Sequence, residues 1–349
     1  MELLPAAIGA RSAGPSAERI RRSPQFRDGT FRNTVPASVL PPGTWGRTFR
    51  ELLFGKERRR RRPSLPVPLV TAPPAPVAAD DLHLTWYGHA STLVELDGRR
   101  VLLDPIWSER CSPFSFAGPR RLHPPPVPID QLPPVDAVVI SHDHYDHLDL
   151  PTIRALSRSH PAAPFLVPLG IGAHLHRWQV PADRIVELDW NESAEVAGLR
   201  FTATPGRHFS GRLFARDRTL WASWVVAGAT QRLFYSGDTG YFDGFAEIGK
   251  AHGPFDASLM AIGAYGPAWP DIHLNPEQAV QAHLDLSGGL LIPVHWATFN
   301  LAIHAWTEPA DLVWREAKAV DARLAIPRPG ERVPVADPPT IDAWWQPLA

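Results

Sequence analysis

Ser141-His142-Asp143-His144-Tyr145-Asp146-His147-Leu148-Asp149 packs three histidines and three aspartates into nine positions. His142, His144, Asp146 and His147 follow the pattern H-x-H-x-D-H. Neutral imidazole and carboxylate are the ligand types that zinc and similar divalent metals take. Four such groups in six positions are hard to satisfy as a buried polar cluster without a cation. The apolar run Ala137-Val138-Val139-Ile140 leads directly into the motif. That places the histidines just past the end of a buried strand, where α/β proteins put their chemistry.

Later apolar runs end in the same way. Arg200 to Thr204 leads to Pro205-Gly206-Arg207-His208, Leu233-Phe234-Tyr235 to Ser236-Gly237-Asp238, and Leu290 to Val294 leads to His295-Trp296. One histidine at a strand end is commonly structural, and an Asp in a Gly-rich turn commonly serves the turn. Together with the histidine motif they make a set of seven ligands that can hold two metals. His142, His144 and His208 would take one, Asp146, His147 and His295 the other, with Asp238 between them.

Other short apolar runs read as strands: Leu82 to Tyr87, Ser91 to Leu96, Val101 to Asp104, Pro164 to Val167, Ile185 to Leu188, Ser223 to Val226 and Ser258 to Ile262. Leu150 to Leu156 starts a helix capped by Asp149, and Pro276 to Leu286 and Pro309 to Val320 read as helices. Many short strands with interspersed helices suggest two sheets sandwiched by helices.

The 349 residues carry 35 Lys+Arg against 36 Asp+Glu, and this balance offers no basic face for nucleic acid. The single cysteine, Cys111, excludes an intrachain disulfide, so any metal site rests on His and Asp. No run of 18 or more apolar residues is present, and the first residues lack the basic start of a signal peptide, so a cytoplasmic protein is expected. Residues 1–80 are rich in Pro and Arg, with a basic run at Arg58 to Arg62 and a Pro-rich stretch at Pro63 to Pro76. They read as an extension, partly disordered or wrapped around a hydrolase domain at 81–349. The arginine run is either a solvated linker or a contact for anionic lipid headgroups, at roughly 1 kcal/mol per residue near the surface.

The ordered ligand set resembles the metallo-β-lactamase superfamily, whose fold is a four-layer αββα sandwich. Trp86-Tyr87-Gly88-His89-Ala90 is similar to the opening signature of the N-acyl-phosphatidylethanolamine-hydrolysing phospholipase D branch. So are Asp104-Pro105-Ile106, Gly118-Pro119-Arg120-Arg121, Glu187-Leu188-Asp189-Trp190, Gly237-Asp238-Thr239-Gly240-Tyr241, Gly253-Pro254-Phe255-Asp256 and Ile262-Gly263-Ala264-Tyr265. The likeness covers roughly residues 82–332. It departs from the animal enzymes at Ile272-His273, where they carry Gln-His, and at Phe209-Ser210-Gly211-Arg212, which lacks their lysine. Both changes lie where substrate would be held, so the exact lipid is left open.

The resemblance implies two zinc ions per chain, a phospholipid substrate, peripheral membrane contact and no nucleic-acid partner; a homodimer is compatible with it. Asp146 would orient or deprotonate the attacking water. His273 would bind phosphate or protonate the leaving alcohol. His89 would position the metal loop, Tyr145 would touch substrate or pack against that loop, and His174 and His176 read as surface residues. Trp107, Trp269, Trp296 and Trp306 would line an acyl-chain groove or belong to the core. Two other functions compete: another hydrolase of the same fold, such as a sugar-phosphate lactonase, and a non-catalytic metal-binding scaffold.

Overall fold

The computed structural model describes residues 6–39, 41, 44, 46, 50–51, 61–72, 81–213 and 215–349. Arg58 to Arg60 of the basic run and residues 73–76 of the Pro-rich stretch lie outside them.

Two seven-stranded sheets face each other. The first runs in the order Arg332–Pro334, His83–Gly88, Ser91–Leu96, Arg99–Leu103, Ala137–Val139, Phe165–Pro168, Ile185–Leu188. Its first four strands pair antiparallel and the rest parallel. The second runs Arg323–Leu324, Gly288–Val294, Phe255–Ala261, Arg232–Tyr235, Ser223–Ala227, Leu199–Thr204, Ser193–Val196. Here the first four are parallel and the remainder antiparallel.

The period-2 alternation of strands sorts their side chains between layers. Val94, Leu96, Val101, Leu103 and Val139 point into the core between the sheets, where they meet Phe201, Trp224, Leu233 and Tyr235. Leu93, Leu102 and Val138 point the other way, against Ile153, Leu156 and Leu175 of the helices Leu150–Ser159 and Gly172–Arg177. On the far side, Phe245, Val280 and Val313 bring the helices Gly244–His252, Pro276–Asp285 and Glu308–Ala319 onto the second sheet. This is the αββα sandwich expected from the sequence.

Strand direction then decides where the chemistry collects. Leu199–Thr204, Arg232–Tyr235 and Gly288–Val294 run the same way, because two successive antiparallel pairings and two parallel ones separate them. Their C-terminal ends share one edge of the second sheet, and His208, Asp238 and His295 follow from it. By the same logic His83–Gly88, Arg99–Leu103 and Ala137–Val139 deliver His89, Asp104 and the histidine motif to one edge of the first sheet. The two edges are stitched together by Ala222 N donating to Ser141 O at 2.9 Å and Trp224 Nε1 donating to Ile140 O at 3.1 Å.

Strand and helix limits match the sequence reading within a few residues, except that Ile262 falls just beyond Phe255–Ala261. The helices Gly14–Arg22, Gly172–Arg177 and Gly244–His252 were not expected from it. Trp296 and Trp306 are core residues: Trp296 is 2 % exposed and stacks on Trp86 at 5.7 Å. Trp107 and Trp269 are half-buried.

Candidate metal centre

All seven residues singled out by the strand-end pattern converge at the shared edge. His142 Nε2 lies 2.8 Å from His144 Nδ1, which lies 3.2 Å from His208 Nε2. Beside this trio, Asp146 Oδ2 sits 3.3 Å from His295 Nε2 and 3.6 Å from His147 Nε2. Asp238 Oδ2 stands between the groups, 3.1 Å from His295 Nε2 and 3.2 Å from His147 Nε2, and 3.9 Å from the Nε2 atoms of both His142 and His208. His89 Nε2 is 3.0 Å from Asp146 Oδ2, so this histidine touches the cluster directly. His273 is at its rim, its Nδ1 3.8 Å from Asp238 Oδ2 and its side chain 13 % exposed. His144, Tyr145, Asp146 and His273 are half-buried and form the solvent-facing side; the other ligand candidates are buried.

The protons available to this donor set leave room for a cation. Ile272 O can only accept, so His208 Nδ1, at 2.9 Å, carries the proton and Nε2 bears a lone pair. The Ser141 hydroxyl, 2.5 Å from Asp104 Oδ2, donates there, so it must accept from His142 Nδ1 at 2.9 Å, which leaves His142 Nε2 as another lone pair. Both lone pairs aim at His144 Nδ1. One proton cannot satisfy three converging nitrogens, whereas a divalent cation can. In the second group His147 donates Nδ1–H to Asp104 Oδ2 at 2.6 Å, and its Nε2 then faces two carboxylates without a hydrogen bond. Asp238 Oδ1 is likewise buried without a partner. The donor set fits divalent-cation binding.

The electrostatics agree. Burial pushes the Asp238 carboxyl up, but His147 and His295 pull it well below the usual carboxylate range. Burial pushes Asp146 up as well, and His147, His295 and His89 again win, holding it well below. Burial pulls His295 down, yet Asp238 and Asp146 raise it to about 9. Burial drives His142 well below its ordinary value, helped by His147, His144 and His208. Two carboxylates thus demand positive charge on the ring nitrogens beside them. His89, Asp104 and His295 also hold left-handed backbone, with φ of 51°, 37° and 64°, strain of the kind that accumulates at functional sites.

The remaining acids of the motif are engaged elsewhere. Asp149 caps the helix Leu150–Ser159, accepting from Thr152 N at 3.3 Å and Ser108 Oγ at 2.7 Å. Asp143 accepts from Gly211 N at 2.7 Å and lies 3.3 Å from His174 Nε2. His174 is therefore not a surface residue: it is buried, and its Nδ1 accepts from Ala10 N at 2.8 Å. His176 is exposed. Arg212, fully buried, donates to Asp143 O at 2.8 Å and Leu148 O at 2.9 Å, and its guanidinium covers the Tyr145 ring at 4.0 Å. Tyr145 thus packs within the loop.

Two supports had no sequence signal. Asn33 clamps His208 through both backbone groups, donating from Nδ2 to its O at 2.7 Å and accepting from its N at 3.0 Å. Asn33 lies in a segment without periodicity, so nothing local marks it. Arg212 also donates Nε–H to Ala7 O at 2.9 Å, and Trp178 donates to Ala6 O at 2.8 Å. Residues 6–10 and 33 of the N-terminal segment therefore brace the loops that carry the site.

The sequence matches a family described as the beta-lactamase superfamily domain across residues 99–296. An uncharacterized protein of Mycobacterium tuberculosis, Rv0906, is 51 % identical over 98 % of this chain and 92 % of its own length. N-acyl-phosphatidylethanolamine-hydrolyzing phospholipase D 1 of Caenorhabditis elegans is 38 % identical over 69 % of this chain and 73 % of its own. Among solved structures, an isothiocyanate hydrolase from Delia radicum gut bacteria superposes with a TM-score of 0.57 at 20 % identity, covering 72 % of this chain and 98 % of that one. At that identity the likeness speaks for the fold alone.

Proposed function

Because the chain belongs to the metallo-β-lactamase superfamily as a metal-dependent hydrolase, we propose that it is a dinuclear zinc phosphodiesterase of phospholipase D type. Its substrates in this reading are N-acylphosphatidylethanolamine-like phospholipids. The observation that carries the dinuclear reading is Asp238 Oδ2, in reach of His147 and His295 on one side and of His142 and His208 on the other. The substrate class is supported by the name of the C. elegans relative and by the resemblance of Trp86-Tyr87-Gly88-His89-Ala90 and the other branch motifs of this sequence.

His142, His144 and His208 would hold one ion and Asp146, His147 and His295 the other, with Asp238 shared. Bound there, such ions supply Lewis acidity toward phosphoryl oxygens and a water acidic enough to be a nucleophile near neutral pH. Asp146 Oδ2 is occupied by His89 and His295, while its Oδ1 accepts no hydrogen bond among the described residues. Oδ1 is therefore the atom that would take and orient the proton of the attacking water. Asp104 fixes the His147 tautomer, and Ile272 O fixes that of His208. Burial pushes His273 down to about 4, which makes it an uncharged imidazole at neutral pH. It is assigned a hydrogen bond to a phosphoryl or leaving oxygen at the open side of the site.

The test is release of phosphatidic acid by the purified, metal-loaded protein from vesicles of N-acylphosphatidylethanolamine, phosphatidylethanolamine or phosphatidylcholine. Phosphatidic acid from the first at the highest rate supports the reading. A protein that holds its metal and releases phosphatidic acid from none of them overturns it.

A further inference from the structure

The motif Gly118-Pro119-Arg120-Arg121 has no place in the metal centre, yet the fold builds a groove around it. The loop is tightly held: Arg110 donates to Ser115 O at 3.2 Å and Gly118 O at 2.7 Å, and Arg121 N donates to Glu109 O at 2.8 Å. Gly118 takes a φ of 103°, and a Cβ there would lie 2.6 Å from Ser112 Cβ. The resulting groove encloses about 520 Å³, with Arg62, Arg120 and Arg121 among its lining and Trp107, Leu122 and Pro124 as apolar walls.

Its charge is unbalanced. Arg120 pairs with Glu109. Arg121 donates Nε–H to His123 O at 3.2 Å and Nη1–H to Ile106 O at 2.8 Å, but it forms no ion pair and its Nη2 has no acceptor among the described residues. Burial lowers its guanidinium from 12.5 to about 10, with Asp149 and Cys111 opposing more weakly. Arg62 forms no ion pair among the described residues either. His123 adds no charge: it donates Nδ1–H to Pro124 O at 2.8 Å and accepts from Thr298 Oγ1 at 3.0 Å, and burial keeps it neutral with a pKa of about 3. Among the described residues that line the groove, one carboxylate, Glu109, thus stands against three guanidinium groups. A guanidinium sheltered from water without a counter-charge is costly, and the planar fork it leaves open matches a phosphate oxyanion.

We propose that this groove is a binding site for a phosphate oxyanion carried on an amphiphile, with Arg62 and Arg121 on the charge and Trp107, Leu122 and Pro124 on the apolar portion. The site is separate from the metal centre and does not depend on the reaction assigned to it. The two are neighbours, because the Arg121 guanidinium lies over the Phe299 ring at 5.4 Å and Phe299 packs edge-on against His89 at 5.2 Å. An anionic headgroup held here would sit beside the entrance to the catalytic edge.

The experiment is calorimetric titration of the metal-loaded full-length protein, wild type, Arg62→Ala and Arg121→Gln, with dihexanoyl phosphatidic acid, dihexanoyl phosphatidylcholine and inorganic phosphate. Phosphate that reaches the metal centre binds all three proteins alike, so differences among them report the groove. The expected result is a loss of about tenfold in phosphatidic acid affinity for each variant, with metal content unchanged. An equal loss for inorganic phosphate identifies the headgroup alone as the ligand; a loss confined to the lipid shows that the apolar walls are needed. If Arg121→Gln does not fold, exposed Arg62→Ala decides. Wild-type affinity of the variants for both phosphatidic acid and phosphate overturns the proposal.

Discussion

Asp104 Oδ2 lies 2.6 Å from His147 Nδ1, and both residues are fully buried. The same carboxylate gathers Ser141 N at 2.7 Å on Oδ1, and Ser141 Oγ and Tyr235 OH at 2.5 Å each on Oδ2. One acid at the end of Arg99–Leu103 thus sets a tautomer in the histidine motif and ties it to the second sheet. A ligand histidine needs such a partner to present the other nitrogen as a lone pair.

Asp104→Asn removes the charge and puts an amide donor where three donors already converge. Metal affinity is expected to fall about 10- to 100-fold, and the chain to lose about 1–3 kcal/mol of stability from unsatisfied buried groups. Competition with a chromophoric chelator measures the first. Wild-type affinity would show that His147 needs no such orientation.

Asp238→Ala, His142→Ala and His295→Ala are expected to lose turnover while far-ultraviolet circular dichroism stays native. Elemental analysis should find about two metal ions per chain in the wild type and fewer in Asp238→Ala. Wild-type turnover in Asp238→Ala would rule out its role between the two groups.

Asn33→Ala leaves His208 N and O, both buried, without their clamp. About 1–3 kcal/mol of stability should be lost, and metal affinity reduced more than by an alanine substitution of exposed Ser38. Thermal melts with and without added zinc separate the two effects. An unchanged zinc-dependent shift in Tm would show that Asn33 only packs.

Chelation is expected to lower Tm as well as activity, because cations that bind only the folded chain stabilise it, by about 4 kcal/mol at a free concentration 1,000 times the dissociation constant. Calorimetry before and after dialysis against a chelator checks this. A Tm indifferent to chelation would mean that the folded chain binds cations no more tightly than the unfolded chain does.

His283 offers a pH test remote from the metals. Its Nδ1 meets Ser258 Oγ at 2.7 Å, and burial lowers it from 6.5 to about 4. The unfolded chain takes up this proton first, so the stability is present above 6.5 and is lost as pH falls toward 4. The loss amounts to roughly 3 kcal/mol. Denaturant titrations at pH 7 and pH 4 should show the wild type losing more than His283→Gln by about that amount; parallel losses would contradict it.

The sequence alone was enough for the layers and for naming the ligand candidates. Runs such as Ala137 to Val139 and Leu290 to Val294 are apolar on both faces, which is the mark of strands buried between layers. The chemical types of His142, His144, Asp146, His147, His208, Asp238 and His295 at strand ends carry the metal reading by themselves. Position in the chain could not say which other polar residues join them. Asn33 is 175 residues from His208, and Asp104 is 131 from Tyr235. Asp104 meets Tyr235 because the two sheets face each other, and Asn33 meets His208 because the N-terminal segment packs against the loop that carries it. His174 reads in sequence as a surface residue, yet its ring is enclosed by residues 6–10 and Asp143. The chemical type of a ligand candidate is local, legible residue by residue. Tautomer, orientation and the unpaired charge of Arg121 depend on what lies within 3 Å or so in space, and only the tertiary structure decides that.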